Sequence, residues 1–165
     1  MNTPDGFYDS IDNNELLRRD FFSRFRNEET GNWSENAFRL RPTLKPPEVY
    51  LSLARTKIAT DAVHHANELY AKSKNKLKKL EGYVELMASD IRAVEVDALE
   101  CDVFAEGFED NAHAGLFSWT KDRGFLDANS DVPELFDLQN KLLLLSIPTY
   151  KDYPEEVRRA WKEIE

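Results

Sequence analysis

Apolar residues recur at helical spacing in two parts of the chain. Between residues 15 and 26, Leu17, Phe21 and Phe25 stand four apart, which predicts an amphipathic helix near the N-terminus. Residues 58–80 carry apolar side chains at every third or fourth position. This second pattern predicts a longer, central helix that ends before Gly82.

Alternation of apolar and polar residues predicts several short strands. Residues 37–41 and 49–53 alternate in this way, and the prolines between them favour two strands with a stiff connection. Further strands are predicted at 83–87, 95–105 and 114–119. Near the C-terminus, Asp131 and Asp152 begin patterns that are typical of helix starts, which predicts two final helices.

Together these elements predict an α+β fold. We expect a small mixed or antiparallel sheet of about 4–5 short strands, packed by the long central helix and accompanied by N-terminal and C-terminal helices. A length of 165 residues suits one domain. We expect residues 1–12 to form a flexible arm and residues 13–165 a single domain, with 131–165 as a C-terminal helical extension.

Charge is distributed unevenly along the chain. The net charge is −9, which argues against general nucleic-acid binding. Residues 36–80, however, hold ten Lys/Arg and three Asp/Glu, a net charge of +7. This basic segment is either a solvated helix surface or a surface that receives an anion. A third interpretation is that the acidic remainder imitates nucleic acid and binds a DNA-binding partner. Nucleic-acid binding, if it occurs, would use Lys72, Lys74, Lys76, Lys78 and Lys79.

Several classes of function lack their usual sequence signals. The chain contains no phosphate-binding glycine loop, dinucleotide fingerprint, zinc-protease motif or nucleophile elbow, so we predict no cofactor and no metal. The N-terminus does not resemble a secretory signal, and no apolar run is long enough to cross a bilayer, so we expect no membrane association.

The single cysteine and one histidine pair are expected to be structural. Cys101 has no second cysteine with which to form a disulfide, which favours the cytoplasm, and its strand-like surroundings predict a small core residue. His64 and His65 are neighbours on the predicted central helix and point about 100° apart, so they cannot chelate one metal ion. We expect both at the boundary of the core.

Arginines form the first candidate binding site. If the predicted strands at 37–41 and 49–53 pair, Arg39, Arg41 and Ser52 lie on one face, with Arg55 close by. Arginines that converge there could hold a phosphate or a carboxylate through paired hydrogen bonds. The alternative is a solvent-facing strand surface with salt bridges to the acidic segment.

A turn before His113 is the second candidate. Asn111 and His113 follow the acidic residues Glu106, Glu109 and Asp110. A carboxylate beside the imidazole would make His113 a usable acid or base. The alternative is a hairpin turn whose Asn and Asp hydrogen-bond their own backbone. A single histidine among flexible acids is a weak metal signature, so no metal is assigned to this turn.

Three short motifs carry a resemblance to known proteins: Asn36-Ala-Phe-Arg-Leu-Arg-Pro42, Leu51-Ser-Leu-Ala-Arg55 and Asn111-Ala-His-Ala114. They resemble a pattern in small uncharacterised bacterial proteins, in which an A-F-x-x-R/P strand precedes an L-S-V-x-R strand and a late N-x-x-H-A motif. That group has no established activity. The resemblance therefore implies a shared fold and a shared site, not a function.

We expect a non-catalytic binding or regulatory protein of bacterial or phage type that engages a protein partner or a small anionic ligand. Its ligand-binding residues would be Arg39, Arg41, Ser52, Arg55 and Asn111. One alternative is a small enzyme acting on a nucleotide or phosphorylated substrate, with His113 as acid or base. The other is nucleic-acid binding through the lysine-rich helix. Exposed Tyr153 and Trp161 would suit a protein contact, and a homo-oligomer is left open.

Overall fold

An antiparallel sheet of eight strands dominates the fold. The structure, a computed structural model, describes residues 3–42, 44–72, 80–107 and 111–162. The strands are β1 (Phe7–Ser10), β2 (Leu16–Phe22), β3 (Tyr50–Arg55), β4 (Leu80–Met87), β5 (Glu100–Glu106), β6 (His113–Thr120), β7 (Gly124–Phe125) and β8 (Lys151–Asp152). The described residues also form the helices α1 (Ala62–Lys72), α2 (Ala88–Arg92), α3 (Glu134–Ser146) and α4 (Glu155–Lys162), and 3-10 helices at Ser23–Phe25, Glu35–Phe38 and Ile147–Thr149.

Pairing within the sheet is uneven. The strands neighbour one another in the order β1-β5-β6-β3-β2-β4-β8, and β7 pairs with the end of β6. β2 pairs with β4 at seven positions, and β3 pairs with β6 at five. Between β2 and β3, by contrast, two pairs form, Leu17 with Arg55 and Arg18 with Ala54. Beyond these pairs the strands part, and we call the gap between residues 19–22 and 50–53 the split.

One face of the sheet holds the main hydrophobic core. Leu17 and Phe21 of β2 and Val84 of β4 are fully buried on this face. They alternate with residues of the other face, as the two-residue repeat of a strand requires. Helix α3 covers the core with Leu138 and Leu142, which lie one helical turn apart on the same side of the helix.

The opposite face, which we call the cavity face, carries the even-numbered residues of β2 and β3 and the odd-numbered residues at the start of β6. Helices α1 and α4 pack over its β4 side, where Ala66, Tyr153 and Val157 form a second, smaller core. Elsewhere on this face, the ring of Phe7 contacts Phe117 edge-on at 4.9 Å between ring centroids. A Cβ atom at Gly115 would crowd both rings, so this position needs glycine.

The predicted fold class is wrong in the size of the sheet and in the role of the helices. Eight strands replace the expected small sheet, and no long central helix packs against it within the described ranges. Residues 15–26 supply β2 instead of a helix. A spacing of four residues satisfies both the two-residue repeat of a strand and the 3.6-residue repeat of a helix, so Leu17 and Phe21 fit either structure.

The central helix is shorter than predicted, and one predicted strand is absent. Helix α1 ends at Lys72, residues 73–79 lie outside the described ranges, and Leu80 already belongs to β4. At 37–41 the chain instead completes a 3-10 helix, in which the adjacent residues Ala37 and Phe38 are both buried. Strict alternation of the two faces of a strand does not allow that pattern. The strands predicted at 49–53, 83–87 and 114–119 and the two C-terminal helices are confirmed. Of the strand predicted at 95–105, the part from Glu100 onward is confirmed as β5.

The N-terminal segment takes part in the sheet. Residues 1–12 were expected to form a flexible arm, and their described part contains β1, which pairs with β5 through Phe7–Glu106 and Ser10–Phe104. The division into a single domain with a C-terminal extension stays a prediction. Within the described part of the chain, no helix has the length and apolar character needed to cross a membrane.

Close approach of two strands at Gly82 gives a test of the fold. A Cβ atom at Gly82 would overlap the carbonyl oxygen of Lys151 and the ring of Tyr150. We expect Gly82→Ala to lower the free energy of unfolding, measured by urea denaturation, by about 1–3 kcal/mol, the usual cost of overpacking. Where there is room, Gly→Ala in a strand gains about 0.5–1 kcal/mol. Unchanged or increased stability would therefore contradict the placement of β8.

Candidate functional site: an arginine-lined cavity

A cavity of about 880 Å³ lies on the cavity face beside the split. Strand β2 contributes Arg18, Arg19 and Asp20 to its lining, and β6 contributes His113. The segment 58–69, which includes the first turns of α1, provides the facing wall. The volume falls within the range of small-molecule sites, roughly 300–1,000 Å³.

Arg19 bridges the split with its side chain. Its Nε donates a hydrogen bond to the carbonyl oxygen of Ala37, and its Nη1 donates one to that of Ser52, each at 3.0 Å. The guanidinium group also lies over the ring of Phe25, 5.8 Å from its centroid. The hydrogen bond to Ser52 therefore connects β3 to β2 where the main-chain ladder has ended, and the bond to Ala37 ties β2 to the second 3-10 helix.

Arg19, Arg24 and Arg41 form what we call the arginine cluster. The pKa of Arg19 is lowered to about 10, chiefly by burial and also by the positive charges of Arg41 and Arg24, while Glu48 and Asp20 act in the opposite direction. Burial and the charge of Arg41 likewise lower the pKa of Arg24. An anion placed among these guanidinium groups would offset both causes, because it would replace lost solvation and screen the mutual repulsion.

Three carboxylates that line the cavity are held by other groups. Glu48 pairs with Arg41, with 3.0 Å between Oε2 and Nη2. Asp61 accepts a hydrogen bond of 3.1 Å from the backbone N–H of His64, as an N-cap of α1 does. Glu68 pairs with the His64 ring at 2.8 Å. None of these carboxylates is directed to Arg19 or to the other arginines of β2.

Three arginines of the cavity make no ion pair with any described residue. Arg19 donates to main-chain carbonyls, and Arg18 donates from Nη2 to the carbonyl oxygen of Ala59 at 2.5 Å. Arg24 lies over the rings of Phe22 and Phe25 at 5.0 and 4.9 Å and is exposed, which places it where the cavity meets solvent. These three guanidinium groups therefore lie in the cavity without a direct contact to a described carboxylate.

Asp20 is the fourth carboxylate of the cavity, and burial raises its pKa. It accepts a 2.5 Å hydrogen bond from the Tyr153 hydroxyl, and that bond and the nearby Arg18, His65 and Arg19 act in the opposite direction. Burial raises the pKa of Tyr153 as well. Burial therefore makes the negative charge of Asp20 less favourable than that of an exposed carboxylate.

His113 is held by four neighbours. Its Nδ1 bonds the Glu106 carboxylate, and its backbone N–H donates to Asn111 Oδ1 at 2.9 Å. Its ring lies 5.7 Å from that of Tyr50 and 6.3 Å from that of Phe7, centroid to centroid. With Nδ1 engaged, Nε2 is the ring nitrogen left to act on a ligand.

The cavity brings together Arg41, Ser52, Asn111 and His113 from the two candidate groups predicted from the sequence. Arg39 does not join them, because it is exposed at the end of the second 3-10 helix. Arg55 does not join them either. The functional role of the four residues stays a prediction.

Arg55 lies on the other face of the sheet from Ser52, because the two are three positions apart along β3 and side chains alternate between the faces at every position. Its Nε lies 2.6 Å from Glu15 Oε1, and both residues are buried. This pair links β3 to the start of β2, so Arg55 is a structural residue and not part of the cavity.

Sequence reasoning missed the arginines of β2. Interpreted as a helix, residues 15–26 place Arg18, Arg19 and Arg24 on the solvent side. A strand interpretation would have placed Arg18 and Asp20 together on the face opposite Leu17, because strand residues alternate between faces. The charged residues at positions 18–20, between the apolar Leu17 and Phe21, were therefore the sequence signal that could have revealed these arginines.

Three further sequence predictions concern the reactivity of Cys101, a protein contact through Tyr153 and Trp161, and metal binding. Burial, and then the charge of Asp102, raise the pKa of Cys101 to about 12, which disfavours a reactive thiolate. Tyr153 is 2% exposed, so its predicted role in a protein contact is wrong, and the Trp161 side chain lies outside the described part. The described residues contain no group of three or more His, Cys, Asp or Glu placed to hold a metal ion.

The prediction of a lysine-rich nucleic-acid surface cannot be placed on the fold. Lys74, Lys76, Lys78 and Lys79 lie outside the described residues, as does the side chain of Lys72 at the end of α1. Nucleic-acid binding through these lysines stays a prediction.

Comparison with known proteins adds no family to this description. No protein-family model, curated protein or solved structure matches the chain. Function is therefore inferred from the residues of the cavity itself.

The buried ion pair between Arg55 and Glu15 gives a second test of the structure. We expect Glu15→Gln to lower the free energy of unfolding by about 3–5 kcal/mol, because it leaves the Arg55 charge buried without its carboxylate. Asp137→Asn is the matched control, since it breaks an exposed pair with Lys141 that is expected to contribute about 0.3–0.5 kcal/mol. Equal losses in urea denaturation of the two variants would contradict a structural role for Arg55.

Proposed function

We propose that the protein is a non-catalytic binding or regulatory protein that holds a small anionic ligand in the arginine-lined cavity. The observation that carries this proposal is the convergence of Arg19, Arg24 and Arg41 on the lining of one cavity. Burial, which is partial for Arg24, and neighbouring positive charges lower the pKa values of Arg19 and Arg24. Arginine binds phosphates and carboxylates through paired, charge-assisted hydrogen bonds.

The hydrogen-bonding state of the cluster supports the same proposal. A guanidinium group has five N–H donors, and Arg19 uses one at Nε and one at Nη1. Glu48, the nearest carboxylate to the cluster, is engaged by the side chain and the backbone N–H of Arg41. Donors of Arg19 and Arg24 therefore remain for a ligand, and the ligand meets little competition from carboxylates of the protein.

Two further parts of the proposal rest on the sequence. A bacterial or phage origin rests on the resemblance of the three short motifs. A cytoplasmic setting is supported by Cys101 as the single cysteine of the chain, because proteins of oxidising compartments commonly carry disulfides. A protein partner would act together with the ligand in a regulatory role.

Arg24→Gln tests the proposal with inorganic phosphate as the probe. We expect phosphate to raise the melting temperature of the wild-type chain and to bind Arg24→Gln about tenfold more weakly in calorimetric titration, the effect of losing one charge-assisted hydrogen bond. Arg39→Gln is the matched control, because it removes the same charge from an exposed position outside the cavity.

Two outcomes would count against the proposal. One is the absence of any stabilisation by phosphate, sulfate or carboxylate anions at constant ionic strength. The other is an equal loss of affinity in Arg24→Gln and Arg39→Gln, because such a result would mean that phosphate responds to net charge and not to the cavity.

A small enzyme acting on a phosphorylated substrate is the second candidate. It is favoured by the position of His113, which shares the cavity with Arg41 and Ser52 and has Nδ1 bonded to Glu106. In this reaction, water attacks phosphorus and gives a proton to Nε2 of His113. The bond between phosphorus and the leaving oxygen breaks, and that oxygen receives the proton from Nε2.

His113→Ala separates the two candidates. If the protein is an enzyme, wild type releases p-nitrophenol from p-nitrophenyl phosphate or its diester, and His113→Ala loses about 10²–10⁴-fold in rate. Circular dichroism and melting temperature establish that the variant keeps its fold. Absence of turnover in the wild type, with phosphate binding intact, would contradict the enzymatic candidate and leave the binding protein standing.

A further inference from the structure

Arg18 is a second, separate cation of the cavity. It is 4% exposed, and its Nη2 donates to the carbonyl oxygen of Ala59. Its Nη1 is buried and has no hydrogen-bond partner. Buried charged groups nearly always have their hydrogen bonds satisfied, since an unsatisfied one costs free energy. The free donor of Arg18 therefore indicates the position of an absent acceptor.

Arg18 and the arginine cluster occupy different parts of the cavity. Arg18 and Arg19 are neighbours on β2 and point to opposite sides of the strand, so Arg19 enters the split while Arg18 lies on the cavity face. Arg41, Arg24, Glu48 and Asp20 are the charged groups that act on Arg19, and Arg18 is not among them. The cavity therefore presents positive charge at two positions.

One small apolar residue, Ala54, separates Arg18 from His113 on the cavity face. Ala54 pairs with Arg18 on one side and with His113 on the other, so these three residues form one row across the cavity face. The side chain of Ala54 is short, and the space over it belongs to the cavity. A ligand can therefore approach Arg18 along the face of the sheet.

A neighbouring cavity of about 700 Å³ also borders Arg18. It contains the carboxylates of Glu85 and Asp152, and the Lys151 ammonium group already lies 3.2 Å from Glu85 Oε1. An anion there would meet these carboxylates. The larger cavity is the better approach to Arg18 for a negative group, because it also holds Arg19, Arg24 and Arg41.

We propose that the ligand of the cavity is a small molecule with two separate anionic groups, one bound by the arginine cluster and the other by Nη1 of Arg18. This inference rests on the proposed function and specifies its ligand class. The two groups are phosphates or carboxylates, because both accept paired hydrogen bonds from arginine. A link between them lies along the lining formed by Leu53, Ala54 and Ile58.

A series of α,ω-alkylene bisphosphonates with increasing numbers of methylene groups tests this inference, with methylphosphonate as the single-headed reference. We expect the affinity in calorimetric titration to pass through a maximum at one spacer length. At that length, binding should be about 100-fold tighter than that of methylphosphonate, because the second contact becomes intramolecular. The corresponding dicarboxylates distinguish carboxylate from phosphate recognition.

Arg18→Met is the matched variant, since methionine fills similar space without charge. We expect it to reduce the affinity for the best bisphosphonate to that of methylphosphonate and to leave methylphosphonate binding unchanged. Arg39→Met, outside the cavity, should change neither. If Arg18→Met does not fold, the dependence of bisphosphonate affinity on spacer length in the wild-type chain tests the inference by itself.

The outcomes separate this inference from the proposal on which it rests. If neither methylphosphonate nor any bisphosphonate binds, the anion-binding function itself is overturned. If methylphosphonate binds and no bisphosphonate binds more tightly at any spacer length, the two-position inference is overturned and the anion-binding function stands. An equal loss of affinity for methylphosphonate and for the best bisphosphonate in Arg18→Met would also overturn the inference.

Discussion

The unequal hydrogen bonding of β2 determines the rest of the molecule. On one side, β2 is joined to β4 along its length, while on the other side it is joined to β3 at two residue pairs. The resulting split makes room for a cavity inside an otherwise continuous sheet and gives Arg19 a place between the strands. Without the split, Arg19 would extend from the core face like Leu17 and Phe21, where a guanidinium group has no partners.

The two faces of β2 serve different purposes. The apolar residues Leu17 and Phe21 hold the strand to the main core, and Arg18 and Asp20 face the cavity. This arrangement concentrates charge beside a well-packed layer, so Arg18 and Arg19 are held by a strand and not by a loop. A positively charged site on rigid strands loses little conformational entropy when an anion binds.

The sequence made some parts of this structure predictable and left others ambiguous, for identifiable reasons. Strands β3 and β6 and helix α3 could be predicted because their apolar residues follow a single repeat. Leu17 and Phe21 could not decide between helix and strand, because a spacing of four fits both. That ambiguity also hid Arg18 and Arg19. Residue type and order were enough to select Arg41, Ser52, Asn111 and His113 as candidates, and these four line one cavity. The displacement of Arg39 and Arg55 depends on a 3-10 helix and on strand parity.

Arg19 joins two strands and also lines a binding cavity, which has a consequence for motion within the sheet. Beyond Arg18, the Arg19 side chain links β2 to β3 through its hydrogen bond to the carbonyl oxygen of Ser52. Its second hydrogen bond ties the same guanidinium group to Ala37 of the second 3-10 helix. An anion held by the remaining donors of that guanidinium group would restrict its rotation and thereby the separation of the two strands. Occupancy of the cavity should then slow amide hydrogen exchange along both edges of the split. The exchange rates at the split would therefore indicate whether the site is filled.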